Sequence, residues 1–276
     1  MLSSKLLIKY GGNAMINQQL QIQIAQTLKQ LSDTGHEIVL VHGGGPFINR
    51  ALEKAQINSE FIQGQRQTSP EAFKEIQKTL IGEVNANLVT TFSQYGVKAI
   101  GLSGLDNQTV TVKQKKLQLS LSDGTNKEVD LGRVGEITTI NPELISTLSQ
   151  NKFIPVMASI GADQNGLGYN INADDFAGEI AAAIKADYYI SLTDVEGLYR
   201  HYPDPHSIVR TISLQELPQL YGSVIQGGMI PKIQSCENAL KKGVKNAVIL
   251  NGTKPEQLLH YFETEEKIGT TIKKQS

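Results

Sequence analysis

The sequence predicts an α/β protein whose sheet is mostly parallel and covered by helices on both faces. Two observations carry that prediction. Apolar runs of strand length recur at 6–10, 37–42, 97–102, 153–160, 188–193 and 247–251. Between several of them lie segments whose apolar residues repeat with the period of a helix.

Taken in order, LLIKY (6–10) begins as a buried strand and breaks at Gly11 and Gly12. Leu20, Ile24, Leu28 and Leu31 then keep helical spacing. EIVLVH (37–42) is the second strand and ends at three glycines. NSEFIQGQRQT (58–68) alternates with period 2 and predicts a hairpin. Ile76, Leu80 and Val84 mark another helix, and VKAIGL (97–102) another strand. Residues 107–137 alternate again, a long hairpin expected to turn at Ser122–Asp123–Gly124. FIPVMASI (153–160) is followed by the Gly/Asn-rich stretch 161–175, where a join between two lobes would fall. The alanine-rich DDFAGEIAAAIKA (174–186) reads as a packed helix, and YYISLT (188–193) and AVILN (247–251) as strands.

A chain of 276 residues permits one large domain or two fused lobes with a substantial core. Its formal net charge of −1 provides no basic field for nucleic acid. The lone Cys236 excludes an intramolecular disulfide and a cysteine-rich zinc site, and fits a reducing compartment. The apolar run near the N-terminus is too short for a signal segment, and no window approaches the ~18 apolar residues of a membrane span. The expectation is a soluble cytoplasmic protein with no membrane or nucleic-acid partner.

Five stretches could carry chemistry. KYGG (9–12) places Lys9 at the end of a buried strand, where an unpaired ammonium is costly unless it reaches water. The lysine precedes the glycines, so this is not a Walker A loop, in which it comes last. VHGGGP (41–46) offers close backbone approach at the C-terminal end of a strand, where open α/β sheets bind ligands. In YNINADD (169–175), Asn172 or Asp174 could cap the alanine-rich helix. In SLTDVEGLY (191–199) a strand ends at Asp194 and Gly197. GGMIPK (227–232) puts Lys232 in a helix's first turn, where the helix dipole disfavours a cation unless it faces an anion. Glycine-rich corners, two awkward lysines and an aspartate, without a histidine or cysteine nucleophile set, suit phosphoryl stabilisation better than hydrolysis.

Together, KYGGNAM, VHGGGP, GQR, YNINAD, LTDVEGLY and GGMIPK, in this order, closely resemble the N-acetylglutamate kinases of the amino acid kinase family. The resemblance covers about Lys5 to Thr271. It implies a three-layer αβα sandwich around an open, mainly parallel sheet. Residues 1–172 would form a lobe for acetylglutamate binding and dimerisation, and 173–276 a lobe for ATP. The implied reaction phosphorylates the γ-carboxylate of N-acetyl-L-glutamate, the second step of arginine biosynthesis. It further implies Lys9, Lys232 and Asp174 as catalytic residues, with Gly11 and Gly12 at the phosphate. Gly44, Gly45, Arg66 and Asn170 would bind the amino acid, and Asp194, Gly197 and Leu198 the nucleotide. ATP brings Mg²⁺ held by phosphate oxygens and water, with no metal ligand from the protein. The implied assembly is a homodimer.

The resemblance leaves competing readings. N-acetyl-aminoadipate is one methylene longer, a difference worth only ~1–3 kcal/mol in a pocket. A catalytically silent amino-acid-binding homologue would have lost a lysine or Asp174, and this chain keeps all three. Many relatives read Gly-Lys-Asp where this chain has Gly104–Leu105–Asp106. Arginine-inhibited relatives carry an extra helix before the first strand and a glycine-rich site that matches poorly at EEKIGTT (265–271), so arginine insensitivity is expected.

Overall fold

A computed structural model of the chain describes residues 3–120, 126–264 and 266–275. β1 (Lys5–Tyr10) leads through a 3-10 turn into α1 (Gln18–Asp33), whose first turn is capped by Asn17. β2 (Glu37–His42) runs directly into α2 (Gly45–Lys54) through the glycine triplet. The short hairpin of β3 (Phe61–Ile62) and β4 (Gln65–Arg66) precedes α3 (Pro70–Gln77), capped by Ser69. That helix continues through π-helical turns (Lys78–Asn85) into α4 (Ala86–Gln94).

β5 (Ala99–Ser103), the long β6 (Val110–Ser120) and β7 (Asn126–Ile140) come next, followed by α5 (Glu143–Gln150) and β8 (Ile154–Ala158). β9 (Ile160–Ala162) and β10 (Gly168–Asn170) lead into α6 (Ala173–Ala183). β11 (Tyr188–Thr193), β12 (Thr211–Ser213), α7 (Met229–Lys241), β13 (Asn246–Asn251), α8 (Glu256–Glu263) and β14 (Thr270–Lys273) complete the order.

The eight-stranded sheet has the order β12-β14-β13-β11-β1-β2-β8-β5. Its neighbours are parallel except β13 and β14. Side chains alternate across β1 and β2 and so sort the helices into two layers. Leu6, Ile8, Tyr10, Ile38 and Leu40 pack with α1, α4 and α8. Leu7, Val39 and Val41 pack with α5, α6 and α7. A third cluster, including Ile48, Phe73, Ile76 and Leu80, joins α2 and α3 to the end of β8. The αβα sandwich expected from the sequence is the one found.

β1 lies at the middle of the sheet, with β2 on one side and β11 on the other. Strand order reverses there, which leaves a crevice at the C-terminal ends. The N-terminal turns of α6 and α7 approach the same end.

The expected hairpin at 107–137 is present but not freestanding: β6 and β7 close with β9 and β10 into a four-stranded barrel. The turn expected at Ser122–Asp123–Gly124 lies outside the described residues, as does Glu265 at the head of EEKIGTT. The stretch 161–175 is a strand, a turn and a strand rather than an open linker. Asp163 Oδ1 accepts from the Asn165 and Leu167 amides, which explains the polar composition there. No helix among the described residues is long and apolar enough to cross a membrane.

Close approach of α6 and α7 depends on Gly178, where a Cβ would lie 2.6 Å from Ser235 Oγ and 3.0 Å from its carbonyl oxygen. Gly178→Ala should lower stability by about 1–3 kcal/mol through overpacking, read as a shifted urea midpoint at unchanged slope.

Candidate active site

Asn172 caps α6 by accepting from the Asp174 and Asp175 amides. The cap releases the Asp174 side chain, which turns inward instead of satisfying the helix end. Lys9 sits at the end of β1 on the face that α6 covers. Its Nζ lies 3.0 Å from Asp174 Oδ1, with side-chain exposures of only 7% and 9%. From α7, Lys232 Nζ donates to Asp174 Oδ2 at 3.3 Å. An ammonium carries three N–H donors, of which the Asp174 contact occupies one. Lys9 therefore keeps donors for another anion.

The electrostatics follow from burial and mutual charge. Burial lowers the Lys9 pKa, Asp174 opposes that shift, and the charge of Lys232 adds to it. Burial alone would raise the Asp174 carboxyl, but Lys9 and then Lys232 outweigh it and hold the group below the usual carboxylate range. One buried carboxylate thus faces two ammonium nitrogens and leaves the centre with an excess of positive charge. Behind it, Ser235 Oγ donates to the Asp174 carbonyl and lies 2.9 Å from the Tyr189 hydroxyl, fixing the start of α6 against α7.

The glycine corners stand around this triad. Gly12 has φ +71°, and a Cβ there would lie 2.7 Å from Asp194 Oδ1. Asp194 accepts from the Asn13 amide and from Asn13 Nδ2, both at 3.1 Å, so the carboxylate grips the KYGGN loop. A Cβ on Gly44 would lie 2.6 Å from Leu80 Cδ2. Lys9, Gly11, Gly12, Gly44, Gly45, Arg66, Asn170 and Asp174 line a single cavity of about 330 Å³. Arg66 is buried, stacks its guanidinium 4.4 Å from the Phe61 ring centre, and donates to Asn49 Oδ1. Burial lowers its pKa. Asn170 Nδ2 reaches Thr68 Oγ1 at 3.5 Å.

Eight of the twelve residues singled out from the sequence therefore share one cavity, and Lys232 joins through Asp174. Asp194 is tied in through Asn13. Gly197 and Leu198 do not line that cavity. The Leu198 side chain is in the core, its amide donates to Thr270 Oγ1, and its carbonyl accepts from Val209. These two residues hold the loop after β11 in place. Leu105, the departure noted above, packs half-buried against the α2–α3 cluster, while Asp106 accepts from the Ser103 amide and hydroxyl.

A larger groove of about 1230 Å³ runs between the barrel and α6–α7. Its Lys115 and Lys242 are already paired with Asp175 and Glu179. Gly227, Gly228 and Pro231 of the GGMIPK stretch line this groove, whereas Lys9 and the other two glycine corners line the smaller cavity.

Sequence reasoning missed Asn13, His42, Asn85 and Ser235. His42 stands inside VHGGGP, and its signal was a polar residue closing an apolar strand. Asn85 interrupts an apolar helical stripe in the same way.

Residues 4–251 match the model of the amino acid kinase family. The chain is 43% identical to the acetylglutamate kinase of Methanococcus aeolicus, over 97% of this chain and 91% of that protein. It is 42% identical to the acetylglutamate kinase of Methanocaldococcus jannaschii, over 96% and 89%. Among solved structures, N-acetylglutamate synthase from Neisseria gonorrhoeae superposes with a TM-score of 0.80 at 22% identity. That match covers 99% of this chain, which spans 62% of that longer protein.

Asp174→Ala would leave Lys9 and Lys232 uncompensated, at a cost of about 3–5 kcal/mol near neutral pH. The depressed Asp174 pKa means that its stabilisation is complete above the unfolded value of about 4 and is lost as pH falls through the folded one. The cost should therefore shrink in acid. It should shrink again in alkali, because Lys9, whose pKa burial lowers, then discharges. Urea unfolding across pH measures this, and a pH-independent cost would contradict the triad.

Proposed function

The chain belongs to the amino acid kinase family, and we propose that it transfers the γ-phosphoryl group of ATP to the γ-carboxylate of N-acetyl-L-glutamate. The products are N-acetyl-L-glutamyl 5-phosphate and ADP, the second step of arginine biosynthesis. The observation that carries this reading is the Lys9–Asp174–Lys232 triad beside two glycine loops.

The acceptor carboxylate has an ordinary pKa of about 4.3 and is ionised at neutral pH. No general base is required. The site has to hold two anions in line and spread positive charge over the group in transit. Lys9 approaches that group from the acceptor side and Lys232 from the donor side, while Asp174 keeps the two ammonium groups together despite their repulsion. The Gly12, Gly44 and Gly45 amides supply donors to the phosphoryl oxygens and the acceptor, and Gly11 leaves space beside Lys9. Arg66 clamps the substrate's α-carboxylate, and Asn170 hydrogen-bonds the same molecule. Asp194, Gly197 and Leu198 shape the nucleotide loop.

Mg²⁺ accompanies ATP on its phosphates and water, a fit to a centre whose one buried carboxylate is already committed to two lysines. We assign acetylglutamate binding and dimerisation to residues 1–172 and ATP binding to 173–276. A homodimer agrees with the open edge of β5, which has a sheet partner on one side only among the described residues. N-acetyl-aminoadipate is not favoured as acceptor, because the curated relatives at 39–43% identity are named acetylglutamate kinases.

ATP-dependent acylphosphate, trapped with hydroxylamine, should form with N-acetyl-L-glutamate in clear preference to N-acetyl-aminoadipate. Lys9→Ala and Lys232→Ala should each lower turnover by roughly 10²-fold or more, the scale of one lost transition-state contact. Near-normal turnover in either variant would remove that residue's role. Light scattering should give twice the 30.1 kDa mass of one chain, and a monomer would contradict the dimer.

A further inference from the structure

His42 is the buried polar group in the glycine-triplet corner that the phosphoryl chemistry does not use. It ends β2, is fully buried, and shares the sheet face with Leu40 and the α1–α4 layer. Nδ1 lies 2.8 Å from the Gly43 carbonyl oxygen, and Nε2 lies 2.9 Å from Asn85 Nδ2. The same Asn85 nitrogen donates to the Val156 carbonyl at 2.8 Å.

These three contacts admit one proton assignment. Carbonyl oxygens only accept, so Val156 determines which end of the Asn85 amide is nitrogen, and Gly43 places the ring proton on Nδ1. Nε2 is then the acceptor that Asn85 requires. Burial lowers the His42 pKa to about 4, so the neutral ring persists at neutral pH. Asn85 comes from the end of the π-helical turns, and a Cβ on Gly101 would overlap its Oδ1. The relay is held from both ends.

Peptide geometry carries the consequence into the site. In a trans peptide the carbonyl and the next N–H point in opposite directions, and the Gly43–Gly44 bond is trans. With the Gly43 oxygen turned to the ring, the Gly44 N–H is turned away from it, and Gly43, Gly44 and Gly45 line one cavity with Lys9. Among the described residues this N–H has no acceptor within the protein. We propose that His42 and Asn85 are positioning residues which, through the Gly43 carbonyl, aim the Gly44 N–H at the transferring phosphoryl group. The inference rests on the phosphotransfer reading above and adds what sets the direction of one of its donors.

Two measurements test it. Nitrogen-15 spectra of the His42 ring in the unaltered protein, between about pH 6 and 8, should show Nδ1 protonated. An Nε2–H tautomer could not donate to Gly43 and would overturn the proposal without any variant. In the acylphosphate assay, His42→Asn, whose amide nitrogen can take the Nδ1 place, should keep kcat within about threefold. His42→Gln, whose amide reaches the Nε2 place, should lose roughly 10- to 100-fold in kcat, with KM for both substrates within about threefold. Equal kcat in the two variants, or a loss confined to KM, would also overturn it. Inactive unaltered protein would instead sink the phosphotransfer reading.

Discussion

One buried carboxylate shared by two lysines is the constraint on which the rest of the structure depends. Each lysine alone would be costly where it sits. Lys9 ends a central strand under a helix, and Lys232 occupies a first helical turn whose dipole repels it. Asp174 makes both tolerable without cancelling them, because its one negative charge meets two positive ones. The surplus charge is what a phosphoryl group with its developing negative charge would complete. The Lys9 contact fits the same view, since one ion pair restrains the ammonium while its remaining donors stay free.

The fold makes this meeting possible by bringing three distant segments to one end of the sheet. β1 supplies Lys9 from the centre, where strand order reverses. The turns of α6 and α7 converge above it, and Gly178 with the Ser235–Tyr189 contact sets how closely they pack. Asn172 takes over the capping role that Asp174 would otherwise fill. The glycine loops are held from outside: Asp194 binds the Gly12 corner through Asn13, and His42 faces the Gly43 carbonyl. Asp194 and His42 thus spend hydrogen bonds on backbone geometry, and the Lys9 ammonium is left beside the cavity.

Much of the architecture was legible because its signals are local. The apolar runs at 6–10, 37–42, 188–193 and 247–251 became β1, β2, β11 and β13, and alanine-rich 174–186 became α6. β9, β10, β12 and β14 are only three or four residues long, too short for a period to show, and barrel closure is a non-local pairing. In the site, Lys9 and Lys232 were visible as charges in awkward places. Their convergence on Asp174 came only from the family resemblance, since residues 9, 174 and 232 meet only in the folded chain. Asp194 read as a loop residue, while its grip on Asn13 depends on β11 lying beside β1. His42 was hidden by the glycines that follow it, which drew attention to backbone freedom and away from what restrains it.

The central claim is that Lys9 and Lys232 meet across a single phosphoryl group. A crystal structure of the protein with ADP, Mg²⁺, aluminium fluoride and N-acetyl-L-glutamate tests it most directly. The account predicts both Nζ atoms within about 3 Å of the planar fluoride's ligands, on opposite sides of it, with Asp174 still between them. Lysine nitrogens pointing into separate clefts, with the fluoride contacted by neither or by one alone, would contradict it.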